Sequence, residues 1–315
     1  MRKIVATLLL PILLLGLLTA CAPNDRKTEE NQITFTDALG REVSVSKGPK
    51  RVAALLGSFA DVWVLSGGTL CAAAEDAWED FGLELTGAVN IGGAHSPNLE
   101  LLLSADPELV IASASTASNV EMLGTLEAAG ITVAYFDVDH FADYLAMLRI
   151  CTDITGRPDL FEKNGLEIEK KILEIKQDFA EAGLSDSQKT VLVLRAASGF
   201  IKAKGSSGTI LGEMLADLGC INIADSDTSL LDNLSVESII RQEPHRIFVV
   251  TMGSNPQKAI DNLNQMLREN PAWATLNAVA EGRLHLMERN LFNIKPNARW
   301  AESYETLREI FLAAQ

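Results

Sequence analysis

Asn98-Leu99-Glu100-Leu101-Leu102, then Asp106-Pro107-Glu108-Leu109-Val110-Ile111, is matched further along by Ser235-Val236-Glu237-Ser238-Ile239, then Glu243-Pro244-His245-Arg246-Ile247-Phe248-Val249. In each copy a short polar residue opens a helix by accepting a hydrogen bond from its first turn. A glutamate sits in that turn, a proline ends the helix, and an apolar run follows. The Glu-to-Pro interval is seven residues in both. The apolar runs do not alternate with polar residues, as expected of strands buried on both faces. The flanks correspond too: Met122–Gly130 then Ile131–Phe136, against Leu211–Gly219 then Cys220–Ile223. The repeat predicts an α/β fold of two similar Rossmann-like lobes, with a ligand cleft between them.

Working outward, strands are expected at Arg51–Leu56, Thr69–Ala74, Leu109–Ala112 and Thr132–Phe136. A second set is expected at Thr190–Leu194, Cys220–Ile223, Arg246–Thr251 and Arg283–Met287. Between the sets Asp139–Thr155 reads as an amphipathic helix, broken at Gly156-Arg157-Pro158. Pro158 suits the first turn of the next helix. Phe161, Ile168, Ile172, Ile175 and Phe179 then recur at helical spacing, to a stop at Gly183. One long rigid helix there would act as a strut between the lobes. Gly165 inside it costs about 1 kcal/mol relative to alanine, and the sequence offers no reason for it. The expected organisation is a signal peptide at 1–20, a tether at 21–32, a first lobe at 33–138, a helical connection at 139–187 and a second lobe at 188–315.

The first residues set the compartment. Arg2 and Lys3 precede an apolar run, Ile4 to Leu18, too short to span a bilayer comfortably. Leu18-Thr19-Ala20-Cys21 follows, so the segment reads as a lipoprotein signal, with Cys21 the lipidated residue. Ala22 to Gln32 is polar and lacks an apolar period, as a tether would be. The chain is expected outside the cell, anchored at the outer face of the membrane or in the periplasm. The net charge is −15, and removing Arg2 and Lys3 takes the body to −17. Such a surface repels phosphate backbones, which argues against nucleic acid as a partner. Cys71, Cys151 and Cys220 are far apart and read as packed thiols rather than a disulfide or zinc framework.

Several stretches together resemble a known family. They are Thr36-Asp37-Ala38-Leu39-Gly40-Arg41-Glu42-Val43, Lys50-Arg51-Val52, Pro97-Asn98-Leu99-Glu100 and Asp106-Pro107-Glu108-Leu109-Val110-Ile111. Thr155-Gly156, Leu218-Gly219-Cys220-Ile221-Asn222, Asn270-Pro271-Ala272-Trp273 and Glu281-Gly282-Arg283 continue the series. In this order they resemble the substrate-binding proteins of iron-siderophore, haem and cobalamin ABC importers, from about Ile33 onward. The resemblance implies a monomeric two-lobed binding protein that closes modestly on its ligand and hands it to a permease dimer driven by its ATPase. It also implies that Glu100 and Glu237, one on each lobe, dock against the permease. The helix dipole alone would favour a glutamate there, by about 0.3–1 kcal/mol. The pairing of equivalent carboxylates is what suits a two-subunit partner.

Ligands of doubly wound lobes meet the loops at the carboxyl ends of the strands. That rule nominates Ser58, Phe59, Trp78, His95, Ser96 and Ser113 in the first lobe. In the second it nominates Arg195, Ser207, Asn233, Met252, Arg289, Phe292, Lys295 and Arg299. His95 reads either as a donor to a siderophore or a ligand of haem iron, or as a solvated loop residue. His140 is placed near the same cleft, while His245 and His285 look unrelated, so no resident metal site is expected. The arginines suit the anionic groups of a siderophore or haem, or else pair locally, Arg299 with Glu302 and Arg289 with Glu288. No cofactor is expected beyond the transported ligand, an iron complex, haem or a corrinoid. Capture of cobalamin, another chelate or a bare metal stands as the alternative. An enzyme or a sensor on the same scaffold is the alternative of another class. The sequence contains no nucleophile elbow, no HExxH and no phosphate loop to support an enzyme.

Overall fold

The structure is a computed structural model that describes residues 31–253 and 255–313. Cys21 and the expected signal segment lie outside the described residues, as does the tether up to residue 30.

The body opens with a hairpin of β1 (Gln32–Thr36) and β2 (Glu42–Ser46). Asp37 organises its turn. Its Oδ1 accepts the N–H groups of Leu39 and Arg41, each at 3.0 Å. The Arg41 guanidinium donates back to Asp37 Oδ2 at 2.6 Å and onward to the Val133 carbonyl at 2.8 Å. The hairpin is thereby fastened to the first lobe.

That lobe holds β3 (Val52–Ala54), β4 (Ala72–Ala73), β5 (Val89–Asn90), β6 (Leu109–Ser113) and β7 (Thr132–Phe136). They form one sheet in the order β5-β4-β3-β6-β7, every pairing parallel. The second lobe pairs β8 (Thr190–Ala196) with β9 (Ile201–Lys204), antiparallel. Then β10 (Ile221–Asn222), β11 (Arg246–Thr251) and β12 (Leu284–Met287) complete a parallel order β10-β8-β11-β12. All eight expected strands are present, several of them shorter; β1, β2, β5 and β9 were not expected.

The repeat is visible in the backbone. Helix Leu99–Ser104 leads to β6 as helix Val236–Gln242 leads to β11. The residue before each proline is left-handed, Asp106 at φ +48° and Glu243 at φ +46°. The proline ring disfavours the right-handed helical region for its predecessor, so the chain leaves the helix there and turns toward the strand.

Helix Phe141–Thr155 ends at Gly156, left-handed at φ +71°. The connection then runs as an α-turn Pro158–Phe161, a π-turn Glu162–Leu166 and an α-helix Glu167–Glu181. The expected strut is therefore continuous but widened by one turn. At that turn the Asn164 carbonyl accepts the Tyr144 hydroxyl at 2.7 Å, and Asn164 Nδ2 donates to the Leu65 carbonyl at 2.8 Å. Gly165 now has a reason. A Cβ there would lie 2.8 Å from Leu145 Cδ1 and 3.2 Å from Leu148 Cδ2. The buried face of the strut, including Ile172, Ile175 and Phe179, joins a core that continues from Val52 of one lobe to Phe248 of the other. Helix Trp300–Leu312 closes the chain against it, with Phe179 and Phe311 edge to face at 5.2 Å.

Candidate functional site

Strand order reverses between β3 and β6 in the first lobe, and between β8 and β11 in the second. The crevices at these switch points, beyond the carboxyl ends of the strands, are where such sheets bind ligands. Ser58, Phe59 and Ser113 follow or end β3 and β6; Arg195 and Met252 end or follow β8 and β11. Not all are open to a ligand. Phe59 and Phe292 are each 1% exposed, with their rings in the core. Ser58 and Ser113 are buried, and Ser113 Oγ pairs with Ser115 Oγ at 3.0 Å. Trp78 and Met252 are half-buried, while His95, Ser96, Ser207 and Asn233 are exposed.

The expected basic rim divides into two groups. Arg289 forms a two-pronged pair with Asp80 of the first lobe, Nη1 to Oδ1 and Nη2 to Oδ2, the latter at 2.9 Å. It does not use Glu288. Arg299 holds Glu302 at 2.7 and 2.8 Å and Glu288 at 3.2 Å. Both charges are locally balanced. Arg195 is different. The β8–β9 register sets it opposite Lys202, and Val193 opposite Lys204, so all three cations share one face. Among the described residues no carboxylate lies within ion-pair distance of any of them. Arg195 Nε is buried without an acceptor. Burial pushes the Arg195 pKa down, and Lys204 is lowered by burial and then by Arg195 and Lys202. Lys202 and Lys204 were not among the expected residues, although their alternation within Ile201–Lys204 marks a shared face.

Lys295 adds a fourth unpaired cation, with Nζ 5.9 Å from the centroid of the Phe59 ring. Burial lowers its pKa, opposed at longer range by Asp139 and Asp137. His140 caps helix Phe141–Thr155; its Nδ1 bonds Asp143, and its Nε2 lies 3.9 Å from Glu213 Oε2 of the second lobe. His245 precedes β11 and His285 lies in β12, stacked on Phe248. Cys71, Cys151 and Cys220 are free, and burial pushes the Cys151 and Cys220 thiols up to about 12, away from reactive thiolate.

Glu100 and Glu237 occupy the same position of matched helices. Asn98 Oδ1 caps one helix, taking the Leu101 N–H at 3.1 Å; Ser235 Oγ caps the other, taking the Ser238 N–H at 3.3 Å. Both carboxylates are exposed.

Two parallel α/β lobes, each with a switch point in its strand order, and a strut packed into the cores of both define a two-lobed solute-binding protein. The chain belongs to the periplasmic binding protein family, whose model matches residues 52–291. It is 24% identical over 289 residues to the uncharacterized ABC transporter substrate-binding lipoprotein YvrC of Bacillus subtilis (strain 168), covering 90% of this chain and 87% of that one. It is 27% identical over 259 residues to the Fe(3+)-citrate-binding protein YfmC of the same organism, covering 79% and 76%. Among solved structures, the siderophore-binding protein BauB, bound to ferric iron and two molecules of acinetobactin, superposes with a TM-score of 0.72 at 17% identity, covering 90% of this chain and all of that one. The chain is thus of the ABC importer substrate-binding kind.

Proposed function

We propose that this protein captures an anionic iron complex, a ferric siderophore or haem, outside the cell and delivers it to an ABC permease dimer without chemistry of its own. Lipid on Cys21 would hold it at the membrane, with Glu100 and Glu237 engaging the two permease subunits and the ATPase driving release inward. The observation that carries the ligand is the Arg195, Lys202 and Lys204 face, three cations without a carboxylate partner in a protein of net charge −15. Arg195 and Lys204 are partly buried, and such unpaired cations are unfavourable unless an anion completes them, while Lys202 is exposed beside them. YfmC is named for ferric citrate, an anionic chelate of this type.

The test is a titration with ferric citrate, a ferric catecholate, haem and cobalamin, followed by tryptophan quenching and visible absorbance. A saturable one-to-one response to an anionic iron complex, weakened about tenfold or more by Arg195→Ala with Lys204→Ala, supports the reading. Binding of cobalamin alone, of bare metal alone, or of nothing in the panel would overturn it.

A further inference from the structure

The hairpin that carries the basic face has one more residue on that face. The β8–β9 register pairs Arg195 with Lys202 and Ala196 with Ile201. Continued one step, it sets Ala197 opposite Phe200, and the Ala197 N–H donates to the Phe200 carbonyl at 2.9 Å, closing a tip of Ser198 and Gly199. Side chains alternate along a strand, so Phe200 stands on the same side as Lys202 and Lys204. From tip to base the face reads Phe200 with Ala197, Lys202 with Arg195, and Lys204 with Val193. The side chains agree: Lys202 Nζ is 5.9 Å from the centroid of the Phe200 ring. The fold makes little use of this ring. Phe200 belongs to no hydrophobic core cluster, is 42% exposed, and has only the small Ala197 opposite it. It also borders a groove of about 400 Å³ with Ile201, Leu234 and Trp273, so it marks the rim of the hairpin rather than a core. Such a ring gains from being covered by apolar surface, by another ring most of all, while the cations beside it gain from an anion.

We infer that Phe200 sets the ligand's specificity: its ring stacks on an aryl ring of the iron complex, while Lys202 and Arg195 take the anionic oxygens that this aryl ring bears. The inference rests on the reading of the basic face as the ligand site and narrows it, from an anionic iron complex in general to one whose chelating oxygens sit on aryl rings. Ring and ammonium adjoin within 5.9 Å, so one bound unit has to present a π-face and an oxyanion together over that span. An aryl oxyanion does so. An aliphatic polycarboxylate satisfies the cations but leaves the ring without a stacking partner, and haem carries its carboxylates on flexible arms away from the macrocycle.

The experiment is calorimetric titration of the full-length chain in detergent, with detergent-only controls. The probes are ferric enterobactin, whose iron-binding oxygens all sit on aryl rings, ferric citrate in excess citrate, and haem. Ferric enterobactin should bind at least about tenfold tighter than either of the others. Phe200→Leu keeps apolar bulk but removes the ring; it should weaken ferric enterobactin about threefold to tenfold and leave ferric citrate unchanged. Phe200→Tyr keeps the ring and should retain the parental affinity. Arg195→Ala with Lys204→Ala should weaken both iron chelates, which separates the two readings. If that variant weakens both while Phe200→Leu weakens neither, or weakens both equally, the basic face stands and the role of Phe200 falls. Indifference of both chelates to the loss of charge would overturn the basic face and this inference with it. Tighter binding of ferric citrate or haem, or equal losses for leucine and tyrosine at position 200, would also overturn the inference.

Discussion

Asn297 of the second lobe is pinned to Asp61 of the first: its Nδ2 donates to Asp61 Oδ2 and to the Ser58 carbonyl, each at 2.8 Å. Asn297 is 1% exposed and left-handed at φ +50°, a conformation that costs energy for a residue with a Cβ. The Arg289–Asp80 pair lies along the same junction, with Asn290 Nδ2 on the Asp80 carbonyl at 3.1 Å. The lobes are therefore joined by more than the strut, a physical basis for modest closure.

The pin makes a graded prediction. Asn297→Ala removes donors from two buried acceptors and keeps the backbone strain, and should lower stability by about 2 kcal/mol. Asn297→Gly suits the positive φ and should be milder by about 1 kcal/mol. Asp61→Asn should be nearly neutral, because burial already holds the Asp61 carboxyl above its usual range and an amide oxygen still accepts from Asn297. Urea unfolding of the three variants checks the order. Equal losses for alanine and glycine would remove backbone strain from the account.

The docking assignment separates capture from delivery. Glu100 and Glu237 are exposed, and neither belongs to the Arg195, Lys202 and Lys204 face. Changing both to alanine should leave ligand affinity unchanged and abolish uptake by cells, with each single change intermediate. Full uptake by the double variant would end the assignment. Lost affinity would place the glutamates in the binding machinery instead.

Asp37 predicts an acid-sensitive contribution to stability. Burial by itself would raise its pKa, but hydrogen bonds from the Arg41 side chain and backbone, with the guanidinium charge, hold it below the usual carboxylate range. A depressed folded pKa means that the stabilisation is present above the unfolded value, about 3.9, and is lost as pH falls through the folded one. Asp37→Ala should be less stable than the parent by on the order of 3 kcal/mol at pH 7. The gap should narrow as the pH is lowered below about 4. Unfolding midpoints at neutral and acid pH measure it. A gap independent of pH would mean that the loss is packing rather than charge.

What the sequence made legible was local. The strands of the two sheets stood out because each is a short apolar run between turns, and the first-turn glutamates because cap, carboxylate and proline lie within ten residues. The β1–β2 hairpin was missed although Ile33 and Phe35, Val43 and Val45 alternate with polar residues; that pattern marks a strand covered on one face only. The strand β5 is too short to carry a period. Arg289 finding Asp80 was beyond reach, because the partners are 209 residues apart and meet only when the lobes do. The basic face needed the β8–β9 register, without which Lys202 and Lys204 look like ordinary surface lysines.

Gly165 is the sharpest case of a residue whose reason lies in packing. Helix propensity alone predicts that Gly165→Ala stabilises the strut by about 1 kcal/mol. The close approach of Leu145 and Leu148 opposes this. Leu145 is half-buried and its terminal methyl can move aside, so alanine should land within about 1 kcal/mol of the parent, the two effects offsetting. Valine cannot be accommodated that way. Its branches must displace Leu148, which is fully buried, and disturb the π-turn that presents the Asn164 carbonyl to Tyr144. Gly165→Val should lower stability by about 2 kcal/mol, in the range of overpacked cores. Thermal unfolding of the two variants decides between propensity and packing: a clearly stabilised alanine variant would show that the neighbours yield freely and that the glycine is not required by its contacts.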